Sequence, residues 1–358
     1  MFDFIPIRLY TPIFFNSVLL LVLITNVKLL SNRNYILVQK ESNYTTVALL
    51  VAVILYIGLR PVSAVFVDMT GYNKYFLNYA RGVKITSNKD YYWHVFVKFC
   101  SSIMTAKMFF VSCAFLYIFP LYITCKKWFK GINYIPFLML IASFSFWGAG
   151  VNGIRNGIAT SIFVFGLSLD QKNHSKYIVF LICYLIHGSM LIPFSAFVLT
   201  LFFNKTNWYI TGWFLAIALS LILGDFWESF FSTFDIGGNR GNYLTSTEFD
   251  DQFSSTGFRW DFLLYSASAV FAGYYFIFRK KFEDKLYQQL FNIYLTANAF
   301  WILVIRASFS NRFAYLSWFM MAIIIFYPFF KQRFFENQQQ RLALIITLYF
   351  GFTYFMTF

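Results

Sequence analysis

The sequence predicts an all-α integral membrane protein that crosses the bilayer about eleven times as a single transmembrane domain, residues 1–358. Hydrophobic residues make up 59% of the chain and charged residues only 12%, whereas a soluble domain carries about 25% charged residues. Mean hydropathy is +0.59. The apolar residues occur in long runs and not in the alternating pattern of an outer-membrane barrel. These observations exclude a soluble enzyme, a disordered chain and a disulfide-stapled secreted module.

Eleven uncharged apolar stretches follow one another along the chain. They are residues 12–27, 45–59, 108–124, 134–149, 156–169, 177–203, 208–224, 262–278, 288–305, 313–330 and 342–358. A spanning helix needs about 20 residues, with about 17 as a usual minimum, and polar ends can complete the shorter stretches. The first stretch lacks a small-residue cleavage site and is followed by further spans, so we expect an uncleaved signal-anchor helix.

Lysine-rich loops between the apolar stretches indicate the orientation of the chain. They are residues 28–40, 126–130, 172–176, 279–285 and 331–341. The positive-inside rule places these loops in the cytoplasm and the N-terminus outside. The two largest outer segments are then residues 60–107 and 225–261. The net charge of +14 is therefore interpreted as a signal of topology and not of nucleic-acid binding.

The stretch 177–203 is expected to be broken. Its 27 residues contain His187-Gly188-Ser189 and then Pro193, and the loops at both of its ends belong inside. A hairpin of two short helices that turns near His187 satisfies this constraint, and one long tilted helix is the alternative. Non-helical backbone at membrane depth is tolerated only where protein or a water-filled cavity covers it. The break therefore points to a functional site.

Several arginines fall at the outer leaflet boundary in this topology. They are Arg60, Arg155, Arg259, Arg306 and Arg312. A guanidinium is always charged and binds phosphate oxygens bidentately. Together these side chains predict an anion site suited to a pyrophosphate headgroup. The alternative is that they snorkel to the interface and pair with nearby Asp or lipid phosphate.

Two residues are candidates for proton transfer. His187 lies in the centre of an apolar run and is either a general base or a packed histidine bonded to a backbone carbonyl. Asp68 could accept a proton or could be the structural partner of an arginine. His94, within a possible amphipathic helix at 90–99, and His174 are interpreted as structural or solvated. The sequence has no metal-ligand motif and no CxxC pair, so no metal or other cofactor is expected.

Four local patterns occur in order over about residues 55–320. They are Gly58-Leu-Arg60 followed by Asp68 and Tyr72, Arg155-Asn-Gly-Ile-Ala159, Leu185-Ile-His187-Gly-Ser189, and the pair Phe258-Arg259-Trp-Asp261-Phe and Asn311-Arg312-Phe-Ala314-Tyr. In order and spacing they resemble the EpsG branch of the Wzy-type polysaccharide polymerases. These are bacterial inner-membrane proteins that assemble O-antigen or exopolysaccharide.

The resemblance implies an architecture like that of GT-C polymerases and ligases, with the active site facing the periplasm. A glycan on undecaprenyl pyrophosphate would be transferred to an undecaprenyl-pyrophosphate-linked repeat unit. No metal is required if arginines stabilise the developing charge. Membrane lipid and a chain-length regulator are implied as partners. The implied roles are pyrophosphate binding by Arg155, Arg259 and Arg312, with Arg60 and Arg306 as further binders, a general base at His187 or Asp68, and sugar stacking by Tyr72.

Two other functions stay open. An O-antigen ligase would use the same donor but deliver the glycan to lipid A, and such ligases usually carry a larger outer domain. A lipid-linked oligosaccharide flippase or other transporter would also present a cationic cavity. A transporter should show internal repeats and charges near the bilayer midplane, and the sequence shows neither.

Overall fold

The computed structural model describes residues 4–31, 43–87, 90–170, 173–233, 257–307 and 310–358. Within these ranges the chain forms helices, turns and irregular segments without a strand, which confirms the all-α class. The helices pack into two compact units, Met1–His187 with Phe329–Phe358, and Gly188–Pro328. The assignment to a single domain stays a prediction. Most of the predicted outer segment 225–261 and of the loop 28–40 lies outside the described residues.

Most helices coincide with predicted apolar stretches, but residues 67–80 and 91–103 of the predicted outer segment 60–107 are helical as well. In chain order they are α1 (Ile7–Ser31), α2 (Asn43–Gly58), α3 (Val67–Ala80), α4 (Tyr91–Ile103), α5 (Ala106–Trp128), α6 (Tyr134–Ile141), α7 (Phe144–Val151), α8 (Ile154–Leu167), α9 (Ser175–Ile186), α10 (Leu191–Phe202), α11 (Thr206–Ser232), α12 (Trp260–Tyr274), α13 (Lys285–Leu303), α14 (Ser310–Trp318), α15 (Met321–Lys331) and α16 (Gln338–Phe355). The last three residues of α15 belong to the first unit.

The first unit is built around α5, which packs against α2 and α8. Thr105 caps the start of α5 by accepting a hydrogen bond from the Met108 amide, and two lysines in its last turn complement the helix dipole. Helix α8 also packs against α7. A Cβ on Gly157 would lie 2.5 Å from the Ala149 carbonyl oxygen. Glycine therefore permits this close approach, which fixes the start of α8.

The second unit is built around α13, which packs against α10, α11, α12 and α14. Its buried polar side chains bond across to neighbouring helices. Trp213 donates through Nε1 to Asn298 Oδ1 at 2.8 Å, and Asn298 donates through Nδ2 to Ser317 Oγ at 3.0 Å. Interhelical bonds of this kind satisfy polar groups that neither lipid nor an apolar core can satisfy. They fix the rotation of α13 about its axis.

Within the described residues, five helical segments are long and apolar enough to span a membrane, or six if a bent pair counts as one span. The predicted number of about eleven is therefore not confirmed. Several helices, such as α8 with 14 residues and α9 with 12, are shorter than the usual minimum. The bent pair is α6 and α7, at 68°, where the sequence predicts a single apolar stretch over 134–149. The long apolar helices make this a multi-pass membrane protein.

The break predicted within 177–203 is present. Helix α9 ends at Ile186, a single 3₁₀ turn covers Gly188–Met190, and α10 begins at Leu191. His187 adopts an extended backbone conformation at the end of α9. The uninterrupted long helix that was the alternative is therefore wrong. Because the boundary between the two compact units falls at His187-Gly188, the choice of a hairpin over another arrangement stays a prediction.

Candidate functional site

Arg155 is the centre of a polar cluster in the first unit. It lies in the first turn of α8, where Nε donates to the Tyr72 hydroxyl at 3.0 Å and Nη1 forms an ion pair with Asp90. The Arg155 side chain is 22% exposed and that of Asp90 34%. The first turn of a helix favours anions over cations, so the carboxylate offsets an unfavourable position. Arg155 is thus held on two sides while part of it stays accessible.

Asp90 reaches Arg155 through an unusual backbone conformation. Its φ is +54°, in the left-handed region that non-glycine residues rarely adopt and that Asp tolerates better than most. Asp90 occupies the N-cap position of α4 but its side chain makes no capping bond. The carboxylate that could have capped α4 pairs with Arg155 instead. The sequence indicates Asp68, and not Asp90, as a candidate carboxylate partner of an arginine.

Tyr72 and Asp68 lie one turn apart on α3, as i and i+4 positions of one helical face. Tyr72 is 8% exposed, and its ring packs edge-on against Trp93 with 5.3 Å between centroids. Burial raises the pKa of Tyr72, the Arg155 charge lowers it and the Asp68 charge raises it further. In this structure Tyr72 positions Arg155. Its stacking on a sugar stays a prediction.

His94 joins the same cluster, although the sequence assigns it no chemical role. It lies on α4, one turn after Asp90, and is buried. Its Nδ1 is 2.8 Å from the Tyr79 hydroxyl, and its ring packs edge-on against Tyr75 at 4.9 Å. Burial lowers the pKa of His94, and the Arg155 charge lowers it further. Of the two interpretations from the sequence, structural or solvated, these contacts favour the structural one.

Arg60 lies in the interior of the first unit, 1% exposed. Its Nη1 donates to the Ile57 carbonyl and its Nη2 to the Val151 carbonyl at 3.1 Å, while the guanidinium packs against Phe66 and Phe110. Burial lowers the pKa of Arg60 to about 10, so it stays charged at neutral pH. These contacts join α2 to α7. Pyrophosphate binding by Arg60 stays a prediction, and these contacts do not favour it.

His187 is buried at the end of α9, where its amide donates to the Cys183 carbonyl at 2.9 Å. It is the last residue of the first unit before the chain enters the second unit at Gly188. The helix break that singled it out in the sequence is confirmed. Its role as a base stays a prediction, as does that of Asp68.

The three remaining predicted arginines lie in the second unit. Arg259 precedes α12 and binds Asp261 bidentately, with Nε to Oδ1 at 2.9 Å and Nη2 to Oδ2 at 2.6 Å. Its guanidinium lies 3.8 Å from the centroid of the Phe262 ring. Arg312 lies on α14, where its charge acts on the Tyr315 hydroxyl one turn further on. Both are partly exposed.

Arg306 lies beside a kink in α11. Its Nη1 donates to the Ser220 carbonyl at 2.7 Å, three residues before the non-helical Leu223. Its guanidinium also lies 5.6 Å from the ring of Phe258, the residue before Arg259. A Cβ on Gly224 would overlap Arg306 Nη1. The second unit thus brings Arg306 and the Arg259 segment together around Phe258.

Among the described residues, no group of three or more His, Cys, Asp or Glu side chains could hold a metal ion. The site residues that sequence reasoning missed are Asp90, Trp93 and Tyr79. The signal for Asp90 was weak, because it lies 65 positions before Arg155 in the sequence and carries no motif of its own. The expectation of a metal-independent reaction stays a prediction.

Comparison with known families gives one result. A model of the EpsG family matches residues 43–358, which covers all of the clusters described above. Neither the curated proteins nor the solved structures gave a match. Because the match covers most of the sequence, the chain belongs to the EpsG family.

Proposed function

We propose that this protein is a polysaccharide polymerase of the bacterial inner membrane that works at the periplasmic face. The donor is a glycan on undecaprenyl pyrophosphate, and the acceptor is an undecaprenyl-pyrophosphate-linked repeat unit of O-antigen, capsule or exopolysaccharide. An acceptor hydroxyl oxygen bonds to the donor's anomeric carbon, and the bond from that carbon to pyrophosphate breaks. Undecaprenyl pyrophosphate leaves with the electron pair, and the hydroxyl proton passes to a base.

The fixation of Arg155 is the observation that carries this proposal. Two of its donor groups are engaged by Tyr72 and Asp90, yet the side chain stays partly exposed at the start of α8. A preorganised guanidinium in a site with little water stabilises a leaving pyrophosphate without reorganising at the moment of reaction. In the proposed binding mode, pyrophosphate oxygens accept from the N–H groups of Arg155 that bond to neither Tyr72 nor Asp90. Backbone N–H groups in the first turn of α8 also favour a negatively charged ligand at this position.

The other arginines take graded roles in this proposal. Arg259 and Arg312 are partly exposed and could turn toward pyrophosphate oxygens. Arg306 bonds to a backbone carbonyl and supports the Arg259 segment through Phe258. Arg60 is the least suited to bind substrate because it is buried and donates to two carbonyls.

The proton acceptor is proposed to be His187, with Asp68 second. His187 is an imidazole at a helix break, where backbone irregularity accompanies functional sites in membrane proteins. Asp68 is half-buried and acts electrostatically on Tyr72, which contacts Arg155. A carboxylate there would lie near a proposed pyrophosphate binder. A chain-length regulator as partner is a proposal from the family alone.

The test is the glycan ladder of a strain that lacks the gene and is complemented with variants. Arg155→Ala should abolish the ladder and leave single repeat units on the acceptor, while Arg155→Lys should restore little because lysine cannot bind bidentately. Arg81→Ala is the matched control, since Arg81 is exposed at the end of α3. Protein levels in the membrane fraction must be equal.

The same gel separates the alternatives. Long glycan that stays on undecaprenyl pyrophosphate, with none on lipid A, would identify a ligase. Single lipid-linked units trapped on the cytoplasmic side would identify a flippase. A normal ladder from Arg155→Ala would remove Arg155 from the mechanism.

A further inference from the structure

A cationic cavity lies in the first unit, away from the Arg155 cluster. It has a volume of about 270 Å³ and sits where α5 and α15 both end. Three lysines line it, Lys127, Lys130 and Lys331, together with the aromatic rings of Phe129 and Phe330. None of the described residues that line it is acidic. No step of the proposed polymerisation uses these residues.

Two of the three lysines are fixed by contacts with the protein. Lys331 donates through Nζ to the Trp128 carbonyl at 2.6 Å and lies 5.7 Å from the Phe129 ring centroid. Lys127 Nζ lies 5.5 Å from the Phe165 ring centroid. Phe129 and Phe330 pack edge-to-face at 5.5 Å. Contacts with aromatic rings and with a backbone carbonyl therefore hold the ammonium groups of Lys127 and Lys331 in place.

The balance of charge in the cavity is positive. Each helix C-terminus contributes about half a negative charge, so the two helix ends together offset about one of the three lysines. One such carbonyl, that of Trp128, is also taken by Lys331. About two positive charges remain for an incoming anion. A phosphate group is the anion that matches this charge, because it carries one to two negative charges and several acceptor oxygens.

The position of the cavity favours a lipid as the source of that phosphate. Helix α5 and the segment Ser310–Lys331 that ends with α15 are both candidate membrane spans. A cavity at the ends of two spans lies at the bilayer boundary, and the lysine-rich loops place this boundary on the cytoplasmic side. Basic pockets between spanning helices at that boundary bind anionic lipid headgroups. We propose that this cavity binds the phosphate headgroup of an anionic membrane lipid such as phosphatidylglycerol.

The test uses the full chain, purified in detergent and probed by native mass spectrometry and by thermal unfolding. Phosphatidylglycerol should raise the unfolding midpoint of the wild type by several degrees, and phosphatidylcholine should not. In Lys127→Gln/Lys130→Gln the shift should be lost and the occupancy of phosphatidylglycerol should fall at least tenfold. Lys331 is kept because it bonds to the Trp128 carbonyl. Lys130→Gln alone should give an intermediate shift.

The matched control is Lys281→Gln/Lys285→Gln, which removes two exposed charges from the predicted cytoplasmic segment 279–285. It should respond to phosphatidylglycerol as the wild type does. An equal loss of response in this control would show that general surface charge attracts the lipid and would overturn the proposal. So would an unchanged response in Lys127→Gln/Lys130→Gln. A shift with inorganic phosphate equal to that with phosphatidylglycerol would assign the cavity to a soluble phosphate compound and overturn the lipid assignment.

Discussion

The hydrogen bond between Tyr72 and Arg155 allows a sharp test of how the site is held. Tyr72→Phe removes only the hydroxyl that accepts from Arg155 Nε at 3.0 Å. The ring keeps its place, because its packing against Trp93 does not need the hydroxyl. Arg155 keeps its ion pair with Asp90 but loses its second anchor. The substitution thus tests whether Arg155 must be held in place, because the arginine itself stays in the protein.

The expected magnitude follows from burial and charge. A hydrogen bond from a charged donor contributes about 1.5–3 kcal/mol, and Tyr72 is only 8% exposed, so water cannot readily replace the lost acceptor. Each 1.4 kcal/mol corresponds to about a tenfold change in an equilibrium or rate. We expect chain extension to slow by about tenfold to a hundredfold. The unfolding midpoint should fall as well, because Arg155 Nε loses its partner.

The assay compares ladder formation and thermal unfolding of Tyr72→Phe with those of Tyr75→Phe. Tyr75 lies on the same helix and its hydroxyl is not part of the Arg155 cluster, while its ring contact with His94 survives the change. In an Arg155→Ala background, where no ladder is expected, Tyr72→Phe should lower the unfolding midpoint no more than Tyr75→Phe does, because the donor is gone. Equal effects of the two substitutions in the wild-type background would refute the positioning role of Tyr72.

Three further predictions concern other parts of the chain. Arg60→Ala should lower the free energy of unfolding by about 3 kcal/mol or more, because two buried carbonyls lose their donor. The measurement is a lower unfolding midpoint and a smaller amount of protein in the membrane fraction. Gly224→Ala should lower the free energy of unfolding by about 1.5–3 kcal/mol, because the new methyl group displaces the Arg306 guanidinium from the Ser220 carbonyl. Gly212→Ala on the same helix meets open space and should be neutral or stabilising. Because burial lowers the pKa of His94, the unfolded chain binds a proton at a higher pH than the folded one. Stability should fall as pH drops below about 6.5, and His94→Gln should flatten this dependence in unfolding scans between pH 5 and 8.

The positions of the helices were predictable because apolar runs and helices coincide in a membrane protein. The break at His187 was also predictable, since Gly188 and Pro193 interrupt an apolar run. The 68° bend between α6 and α7 was not, because Ala142 and Ser143 carry no helix-breaking signal. The predicted number of spans is not confirmed, because hydropathy marks a helix as apolar without fixing its length.

The candidate site was predictable only in part. Arg155 and Tyr72 were selected from the sequence, and the structure joins them by a hydrogen bond. Asp90 was missed because its contact depends on a left-handed backbone conformation and a long-range approach. Arg60 has the same charge as Arg155 but different surroundings. It is buried among backbone carbonyls and aromatic rings. Sequence alone cannot separate a fully buried arginine that joins two helices from one that stays partly exposed.

The most direct measurement is the affinity of the purified protein for undecaprenyl pyrophosphate, compared among wild type, Arg155→Ala and Arg81→Ala. If Arg155 binds pyrophosphate, Arg155→Ala should weaken binding at least tenfold, as expected for a lost charge-assisted contact of about 1.5–3 kcal/mol. Arg81→Ala should bind as the wild type does, because Arg81 is exposed outside the cluster. Unchanged affinity in Arg155→Ala, with the protein folded, would contradict the central claim.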